Sequence, residues 1–197
     1  MKTFREVDLT VDKIVYLTPS HAPALVSTVS PYNNFNIGAF EQFMSCSNDP
    51  PRIILAITQN SDTYKNIIDG SDFCIGIPTL AIINQILLCG EKLPRNHSEF
   101  DFSGLTQTPS LKIKAPHILE CSVNLECTLF KTFEVGDHSI VIGDVVNAVI
   151  DEVLFSTNNV VRRLNLNAPY YVSSGCFLKI AKIINVKNRI YTVDKNV

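Results

Sequence analysis

Short apolar segments rich in β-branched residues, each bounded by turn residues, occur along most of the chain. Such segments are typical of buried or half-buried strands. They comprise residues 24–30, 53–57, 73–77, 176–180 and 189–193. A longer run covers residues 139–150 and contains Gly143, which predicts a bulge or a close backbone approach inside that strand. A chain with this many short strands must pair them into a sheet.

Residues 121–127 give the clearest strand signal because apolar and polar residues alternate. Cys121, Val123, Leu125 and Cys127 fall on one face, whereas Ser122, Asn124 and Glu126 fall on the other. This period of two predicts a half-buried antiparallel strand.

Helix signals are fewer. Ser61 or Asp62 is placed to cap a helix that runs through Asp69 and ends at Gly70. Thr79 is placed to cap a helix over residues 81–89, and residues 99–105 predict a short helix or turn. Many strands with few helices favour a mainly β fold, a closed antiparallel barrel without exposed edges. The chain contains no repeat or Gly/Ser linker, so residues 1–197 are predicted to form one domain.

Charge and composition exclude several classes of protein. The 17 basic and 19 acidic residues give a net charge of −2, and 46% of residues are apolar. This balance argues against nucleic acid as a partner, since phosphate binding requires clustered Lys and Arg. No apolar run approaches the roughly 20 residues of a membrane helix. The charged N-terminal segment shows no signal peptide, so a cytoplasmic protein is expected.

Six cysteines are present, without a Cys-x-x-Cys pair and without a metal-ligand spacing to any of the four histidines. Reduced, mostly buried thiols are therefore predicted, rather than disulfides or a zinc site. The cysteines are Cys46, Cys74, Cys89, Cys121, Cys127 and Cys176.

Several motifs with small and polar residues follow one another along the chain. The first group is Pro23-Ala24-Leu25-Val26-Ser27-Thr28, Asn36-Ile37-Gly38-Ala39-Phe40, Phe43-Met44-Ser45-Cys46-Ser47, Asp49-Pro50-Pro51 and Ser61-Asp62-Thr63-Tyr64-Lys65-Asn66-Ile67. The second group is Phe102-Ser103-Gly104-Leu105, Ala115-Pro116-His117-Ile118-Leu119-Glu120, Asn124-Leu125-Glu126-Cys127 and Gly136-Asp137-His138. In this order they resemble the flavin reductase-like family of FMN-binding split barrels, over about residues 14–185. The resemblance implies an antiparallel, Greek-key split barrel, a homodimer, and FMN near the dimer interface.

The resemblance assigns the flavin ring to small and polar residues on the first strands. They are Ser27, Thr28, Asn36, Ala39, Phe40, Ser45, Cys46 and Ser47. Each has an ordinary alternative. Residues 45–47 also suit a polar turn, Ser27 and Thr28 suit any strand, and Phe40 suits the core. Asn36 follows a predicted hairpin turn at residues 31–34, and its amide could bond the flavin rim or cap that turn.

The resemblance assigns the flavin phosphate to the start of the helix at Asp62. Backbone N–H groups at a helix N-terminus bind anions, and Ser61, Thr63 and Asn66 add polar groups. Many relatives carry Lys or Arg just before the Asp-Thr pair, where this chain has Ser61. Asp62 would repel a phosphate unless it caps the helix. The phosphate charge must then be met by Lys65, Arg52 or another group.

His138 is the candidate catalytic residue, because the family places this histidine near the flavin and the reduced nicotinamide. It could bond the nicotinamide carboxamide or stabilise negative charge on the reduced flavin. A turn histidine bonded to solvent or backbone is the alternative. The other histidines have no such context. No dinucleotide fingerprint, P-loop or Gly-x-Ser-x-Gly elbow occurs, so NAD(P)H would bind transiently over the flavin.

Three functions follow. The leading one is an oxidoreductase that takes hydride from NAD(P)H to FMN and on to free flavin, a small acceptor or a partner protein, with FAD as the alternative cofactor. The alternatives are an FMN electron carrier of the flavoredoxin kind, reduced by a partner protein, and a barrel that has lost its flavin. NADH and NADPH are not distinguished. The Asn-rich residues 154–174 would cover the pocket, contact a second subunit or form a solvated loop.

Overall fold

The computed structural model describes residues 18, 21–94, 97–155, 162–163, 165–173 and 175–180. Within them lie eleven strands and four α-helices. The strands are β1 Ala24–Val29, β2 Phe35–Phe40, β3 Phe43–Asn48, β4 Pro51–Thr58, β5 Asp72–Ile77, β6 Gln107–Thr108, β7 His117–Ile118, β8 Val123–Val135, β9 His138–Ile150, β10 Tyr170–Ser173 and β11 Cys176–Leu178. The helices are α1 Asp62–Gly70, α2 Ile83–Leu88, α3 Glu99–Ser103 and α4 Glu152–Phe155.

Seven strands form one antiparallel sheet in the order β2-β1-β5-β8-β9-β4-β3. Its two edge strands, β2 and β3, are separated in sequence only by Glu41 and Gln42. Three residue steps span at most about 11 Å, so the sheet must curl until its edges meet at this corner. The backbone N–H of Ala56 donates to the carbonyl of Gln42 there, at 2.9 Å. The predicted mainly β, antiparallel fold with few helices is confirmed.

The curled sheet separates two apolar clusters. The first fills its interior and includes Val26, Leu55, Phe73 and Val141. The second lies on the other face of β1 and β2, where α2 and α3 pack. Its members include Leu25, Ile37, Ile86 and Phe100. Neighbouring residues of β1 and β2 thus enter different clusters, because successive side chains in a strand point to opposite faces.

The predicted helices and turns agree with the structure in kind. Ser61 caps α1, accepting a hydrogen bond from the Tyr64 N–H at 3.1 Å. Thr79 caps a single 3₁₀ turn, Leu80–Ile82, which continues as α2. None of the helices in the described ranges is long and apolar enough to cross a membrane. The strand predicted at residues 189–193 lies outside the described residues.

Gly143 allows a close approach, as predicted. A Cβ built there would lie 2.5 Å from the Phe73 ring. The approaching group is therefore a core side chain rather than backbone. The pairing of β8 with β9 is irregular at two places, at Phe130 of β8 opposite Gly143 and at Val146 of β9.

The prediction that residues 121–127 bury only one face is wrong. Asn124 and Glu126, on the polar face, are 5% and 0% exposed. Strand β7 and the segment before it supply hydrogen-bond partners to both side chains. The Asn124 amide accepts from the backbone N–H of Ile118 at 3.0 Å and donates to its carbonyl at 3.1 Å.

Of residues 154–174, the structure describes 154–155, 162–163 and 165–173. The Arg162 guanidinium donates to the carbonyls of Leu154 and Phe155, at 3.0 and 3.1 Å. Strand β10 pairs with β11 as a separate two-stranded ribbon. The described residues that make these contacts do not form a solvated loop.

All six cysteines are free thiols; Cys46 and Cys176 are exposed and the other four are buried. Burial raises the pKa of the Cys89 and Cys127 thiols to about 12. We expect a thiol reagent at neutral pH to label two cysteines in the native protein and all six after unfolding, because the thiolate is the reactive form. Cys46→Ser with Cys176→Ser should leave the native protein unlabelled. Rapid labelling of that variant would contradict the burial described here.

Candidate functional site

A cleft of about 340 Å³ lies between β2, the N-terminus of α1 and the segment after α2. Its volume is near the lower end of the range for small-molecule sites, roughly 300–1,000 Å³. The lining residues are Asn36, Ile37, Gly38, Ala39, Phe40, Thr58, Asn60, Ser61, Asp62, Thr63, Cys89, Gly90, Glu91, Lys92, Leu93 and Glu99.

Five of the twelve residues predicted for the site line this cleft. They are Asn36, Ala39, Phe40, Ser61 and Thr63. Thr28 and Asn66 lie behind it, both buried. The predicted residues that line the cleft therefore come from β2 and from the start of α1, and Thr28 adds a residue of β1 behind them.

A chain of hydrogen bonds joins the buried polar residues behind the cleft. Thr63 Oγ1 donates to Asn36 Oδ1 at 3.0 Å, and Asn66 Nδ2 donates to Thr28 Oγ1 at 3.0 Å. Asn36 Nδ2 donates to Glu99 Oε2 at 2.7 Å. The Asn36 amide therefore bonds to protein groups through both its oxygen and its nitrogen. It does not cap the turn at residues 31–34, and its two groups are not both free for a ligand in the cleft. Asn66 Oδ1 is the buried side-chain polar atom that has no partner within the described chain.

Glu99 is a site residue that sequence analysis missed. Its carboxylate is 7% exposed and accepts from the Ile37 N–H at 3.3 Å as well as from Asn36. Burial raises the pKa of Glu99 above its usual value, and the hydrogen bonds offset this in part. In the sequence it looks like the first residue of a short capped helix, and only the fold places it against β2.

We expect Glu99→Gln to stabilise the protein at pH 7–8 by about 0.5–2 kcal/mol. The glutamine oxygen can accept both hydrogen bonds without a buried charge. Because the pKa of Glu99 is raised on folding, its contribution to stability is greatest below the unfolded pKa and declines as pH rises through the folded value. Chemical denaturation between pH 4 and 8 should show this decline in the wild type and not in the variant. An equal decline in both would contradict the assignment.

The cleft is acidic. Its lining includes three carboxylates, Asp62, Glu91 and Glu99, and one basic residue among the described ones, Lys92. Lys65 is close to the start of α1, where its ammonium donates to the Asn60 carbonyl at 3.1 Å. Lys92 and Lys65 are therefore the cations available to a phosphate at the α1 N-terminus.

Arg52 lies too far away to serve the cleft. It is six residues before Thr58 on β4, a separation of roughly 20 Å along a strand. Its guanidinium is paired with Asp144 at 2.6 Å and stacks on the Phe130 ring at 3.6 Å.

Ser27 and residues 45–47 do not line the cleft. Ser27 Oγ donates to the Pro116 carbonyl, on the opposite face of β1 from Thr28. This agrees with the expectation that only one of the pair can face a given pocket. Ser45, Cys46 and Ser47 lie on the edge strand β3, with Cys46 at a bulge between residues paired to β4. Their assignment to the flavin stays a prediction.

His138 is next to the cleft rather than in its wall. It pairs across the sheet with Thr58, which lines the cleft. His138 Nδ1 is 2.7 Å from Asp137 Oδ1, so Nε2 is the ring nitrogen available to a ligand. The candidate catalytic residue therefore lies on β9, the strand next to the one that carries Thr58 into the cleft wall.

At Gly38, two side chains that line the cleft come close to the backbone of β2. A Cβ at this position would lie 2.5 Å from the Phe40 ring and 2.8 Å from Thr63 Oγ1. Without a side chain at residue 38, the Phe40 ring and Thr63 pack directly against the backbone of β2. A planar ring with a phosphate tail needs small residues beside the ring and N–H groups and hydroxyls at the phosphate. The cleft lining offers both, with Gly38 and Ala39 on β2 and with Ser61 and Thr63 at the start of α1. The residues present therefore fit FMN.

A family model described as "Flavin reductase like domain" matches residues 19–164. The chain belongs to the flavin reductase-like family. A curated protein of Aquifex aeolicus described as uncharacterized is 29% identical over 155 residues, 76% of each chain. The resemblance inferred from the ordered motifs is confirmed.

Solved structures of the family share the fold of the chain. Nitrilotriacetate monooxygenase component B from Bacillus cereus is 20% identical with a TM-score of 0.86, covering 94% of this chain and 100% of the other. Flavoredoxin of Desulfovibrio vulgaris (Miyazaki F) is 20% identical with a TM-score of 0.78, covering 94% and 99%. At these identities the likeness concerns the fold.

Proposed function

We propose that the chain binds FMN in the cleft, accepts hydride from NADH or NADPH, and passes the electrons to an acceptor. The observation that carries this proposal is the cleft between β2 and the N-terminus of α1, which small and polar residues line. Membership in the flavin reductase-like family supports it. The bound flavin would supply the redox chemistry.

The residues of the cleft would position the ring and phosphate. The backbone of β2 around Gly38 and Ala39 lies along the ring side of the cleft, and Phe40 closes one wall against water. Ser61, Thr63 and the first N–H groups of α1 would bind the phosphate, with Lys92 or Lys65 as counter-charge. His138 Nε2 would donate to the nicotinamide carboxamide or to the reduced ring, with Asp137 fixing the imidazole.

We also propose a homodimer formed through the outer face of β3, β4, β8 and β9. Residues paired across a sheet share a face. Met44 pairs with Ile54, Ile54 with Ile142, and Phe133 with Ile140. These residues form two neighbouring rows on one face, which also carries Lys131 opposite Ile142. Met44 and Phe133 are exposed, so this face is a mainly apolar surface suited to a partner. His138 and Thr58 lie at its end, so a second copy here would adjoin the cleft.

We expect Ile142→Glu to convert the dimer to a monomer, since it places a charge in the centre of the outer face. Light scattering on a gel-filtration column should give about half the mass of the wild type. Val153→Glu changes a residue that is exposed on α4, and its mass should stay that of the wild type. A wild-type protein of monomer mass would contradict the proposed interface.

The catalytic role of His138 is tested by NAD(P)H oxidation in the presence of FMN and an acceptor. His138→Ala should lower kcat by at least tenfold while FMN affinity stays within twofold, since the imidazole lies outside the cleft wall. Asp137→Asn should give a smaller loss. Equal kcat for His138→Ala and wild type would leave the histidine without a catalytic role.

A second candidate is an FMN electron carrier reduced by a partner protein. The acidic cleft favours it, because Asp62, Glu91 and Glu99 would repel the pyrophosphate of a nicotinamide dinucleotide. In that case bound FMN would be reduced by a reductase protein, and NADH and NADPH would reduce it only slowly.

A further inference from the structure

A second cavity of about 310 Å³ adjoins the cleft on the far side of Phe40. Helix α2 forms one wall through Ile86 and Leu87, and the β10–β11 ribbon forms the other through Tyr171 and Phe177. None of these four residues lines the first cleft. The second cavity therefore has its own walls.

The aromatic wall is built into the fold. Tyr171 and Phe177 are cross-strand partners, and their rings meet edge to face with centroids 5.3 Å apart. The N–H of Tyr171 donates to the His21 carbonyl at 3.1 Å, and Phe177 packs against the second apolar cluster. These contacts hold both rings in place before any ligand arrives, which lowers the entropic cost of binding.

The charged residues in the described lining of this cavity are all negative. Glu41 and Glu91 are the residues of the described lining that are charged at neutral pH, and that lining contains no Lys, Arg or His. A carboxylate or phosphate entering the cavity would meet two like charges with no counter-ion. A cation would instead be attracted by both carboxylates and by the faces of the rings.

We propose that the second cavity is a binding site for a small planar aromatic molecule that carries no negative charge. The volume limits the ligand to one or two rings. The two aromatic side chains and the aliphatic wall favour a flat apolar body. The two glutamates disfavour anions, and the described lining of this cavity has neither the lysine nor the helix N-terminus that offset the carboxylates of the first cleft. This inference goes beyond the proposed function and does not depend on it.

Three probes of one shape and different charge test the site. They are 2-naphthamide, 2-naphthamidine and 2-naphthoate, which are neutral, cationic and anionic at pH 7.5. Calorimetric titration of the full-length protein without flavin should show binding of the first two, and affinity for the naphthoate should be at least about tenfold lower. Equal affinity for all three, or no binding of any, would overturn the proposal.

Substitutions in the cavity wall test where the probes bind. Leu87→Trp should abolish naphthamide binding by filling the cavity, and Glu41→Gln should reduce the discrimination against naphthoate by about threefold or more. Leu178→Ala is the control, because Leu178 follows Phe177 on β11 and does not line the cavity. Binding unchanged in Leu87→Trp would place the probe elsewhere and contradict the assignment. Because flavin is absent throughout, failure of FMN to bind the first cleft would leave this test unaffected.

Discussion

Glu126→Ala is expected to lower the free energy of unfolding by about 3–5 kcal/mol, the usual effect of removing one partner of a buried ionic cluster. The Glu126 carboxylate is fully buried. It accepts from the N–H groups of Leu111 and Lys112 at 2.9 and 2.6 Å, from Asn147 Nδ2 at 3.0 Å, and contacts His117 Nε2 at 2.7 Å. Without it, the buried His117 and three partly buried donors lose their acceptor. Urea denaturation at pH 7 measures the change.

Glu126→Gln removes the charge of the side chain and keeps its size and shape. Burial alone would raise the pKa of Glu126, but the hydrogen bonds from Leu111, Asn147, Lys112 and His117 hold it below its usual value. Its contribution to stability is therefore full above the unfolded pKa, about 4.3, and is lost as pH falls through the folded value. The glutamine variant should lack this acid-dependent loss. A stability loss below 1 kcal/mol for Glu126→Ala would show that the hydrogen bonds to Glu126 contribute little to the stability of the fold.

Gly38→Ala is expected to weaken FMN binding by roughly 5- to 150-fold. The new methyl group would collide with the Phe40 ring and Thr63 Oγ1. In the free protein the ring can shift into the cleft, whereas bound FMN would block that movement. The bound state would then carry an overpacking cost of about 1–3 kcal/mol, which corresponds to this fold-change in Kd. Quenching of flavin fluorescence gives the affinity directly.

Gly143→Ala is the matched control for Gly38→Ala. Its methyl group would meet the Phe73 ring at the same 2.5 Å, but inside the barrel core. Both variants should be less stable than the wild type, and only Gly38→Ala should lose FMN affinity beyond threefold. Equal FMN affinities for the two variants would show that the cleft beside Gly38 is not the flavin site.

Local features of the fold could be predicted from the sequence. The cap at Ser61, the end of α1 and the presence of a strand at β8 all depend on residues within one turn or a few pairs of one another. Strands β2 and β3 were not predicted. Gly38 interrupts the first, and the second is an edge strand whose side chains are mostly exposed. Strand propensity depends on such context, so these segments carry a weak signal.

Long-range contacts could not be predicted. Glu126 resembles an outward-facing residue until the segment between β6 and β7 covers it, and His117 resembles a loop histidine until it meets Glu126. In the cleft, Asn36 meets Glu99 across 63 positions. The family resemblance located five cleft residues because it carries this three-dimensional information. It did not locate Glu99, Glu91 or Lys92, which determine the charge of the site.

The acidic lining is the feature that most affects function. A chain with Ser61 in place of the basic residue of many relatives, and with Glu99 beneath the cleft, offers little positive charge to a phosphate. Lys92 and Lys65 are the nearby cations in the described part of the chain. Their contribution should make FMN affinity fall as salt increases.

The most direct test of the central claim is an anaerobic visible spectrum of the purified protein with FMN, recorded during titration with NADH and then NADPH. We predict that FMN binds with a perturbed flavin spectrum and that one of the two nucleotides bleaches it within seconds. Bound FMN that neither nucleotide bleaches would contradict direct hydride transfer and support the electron carrier. An unperturbed spectrum would contradict flavin binding itself.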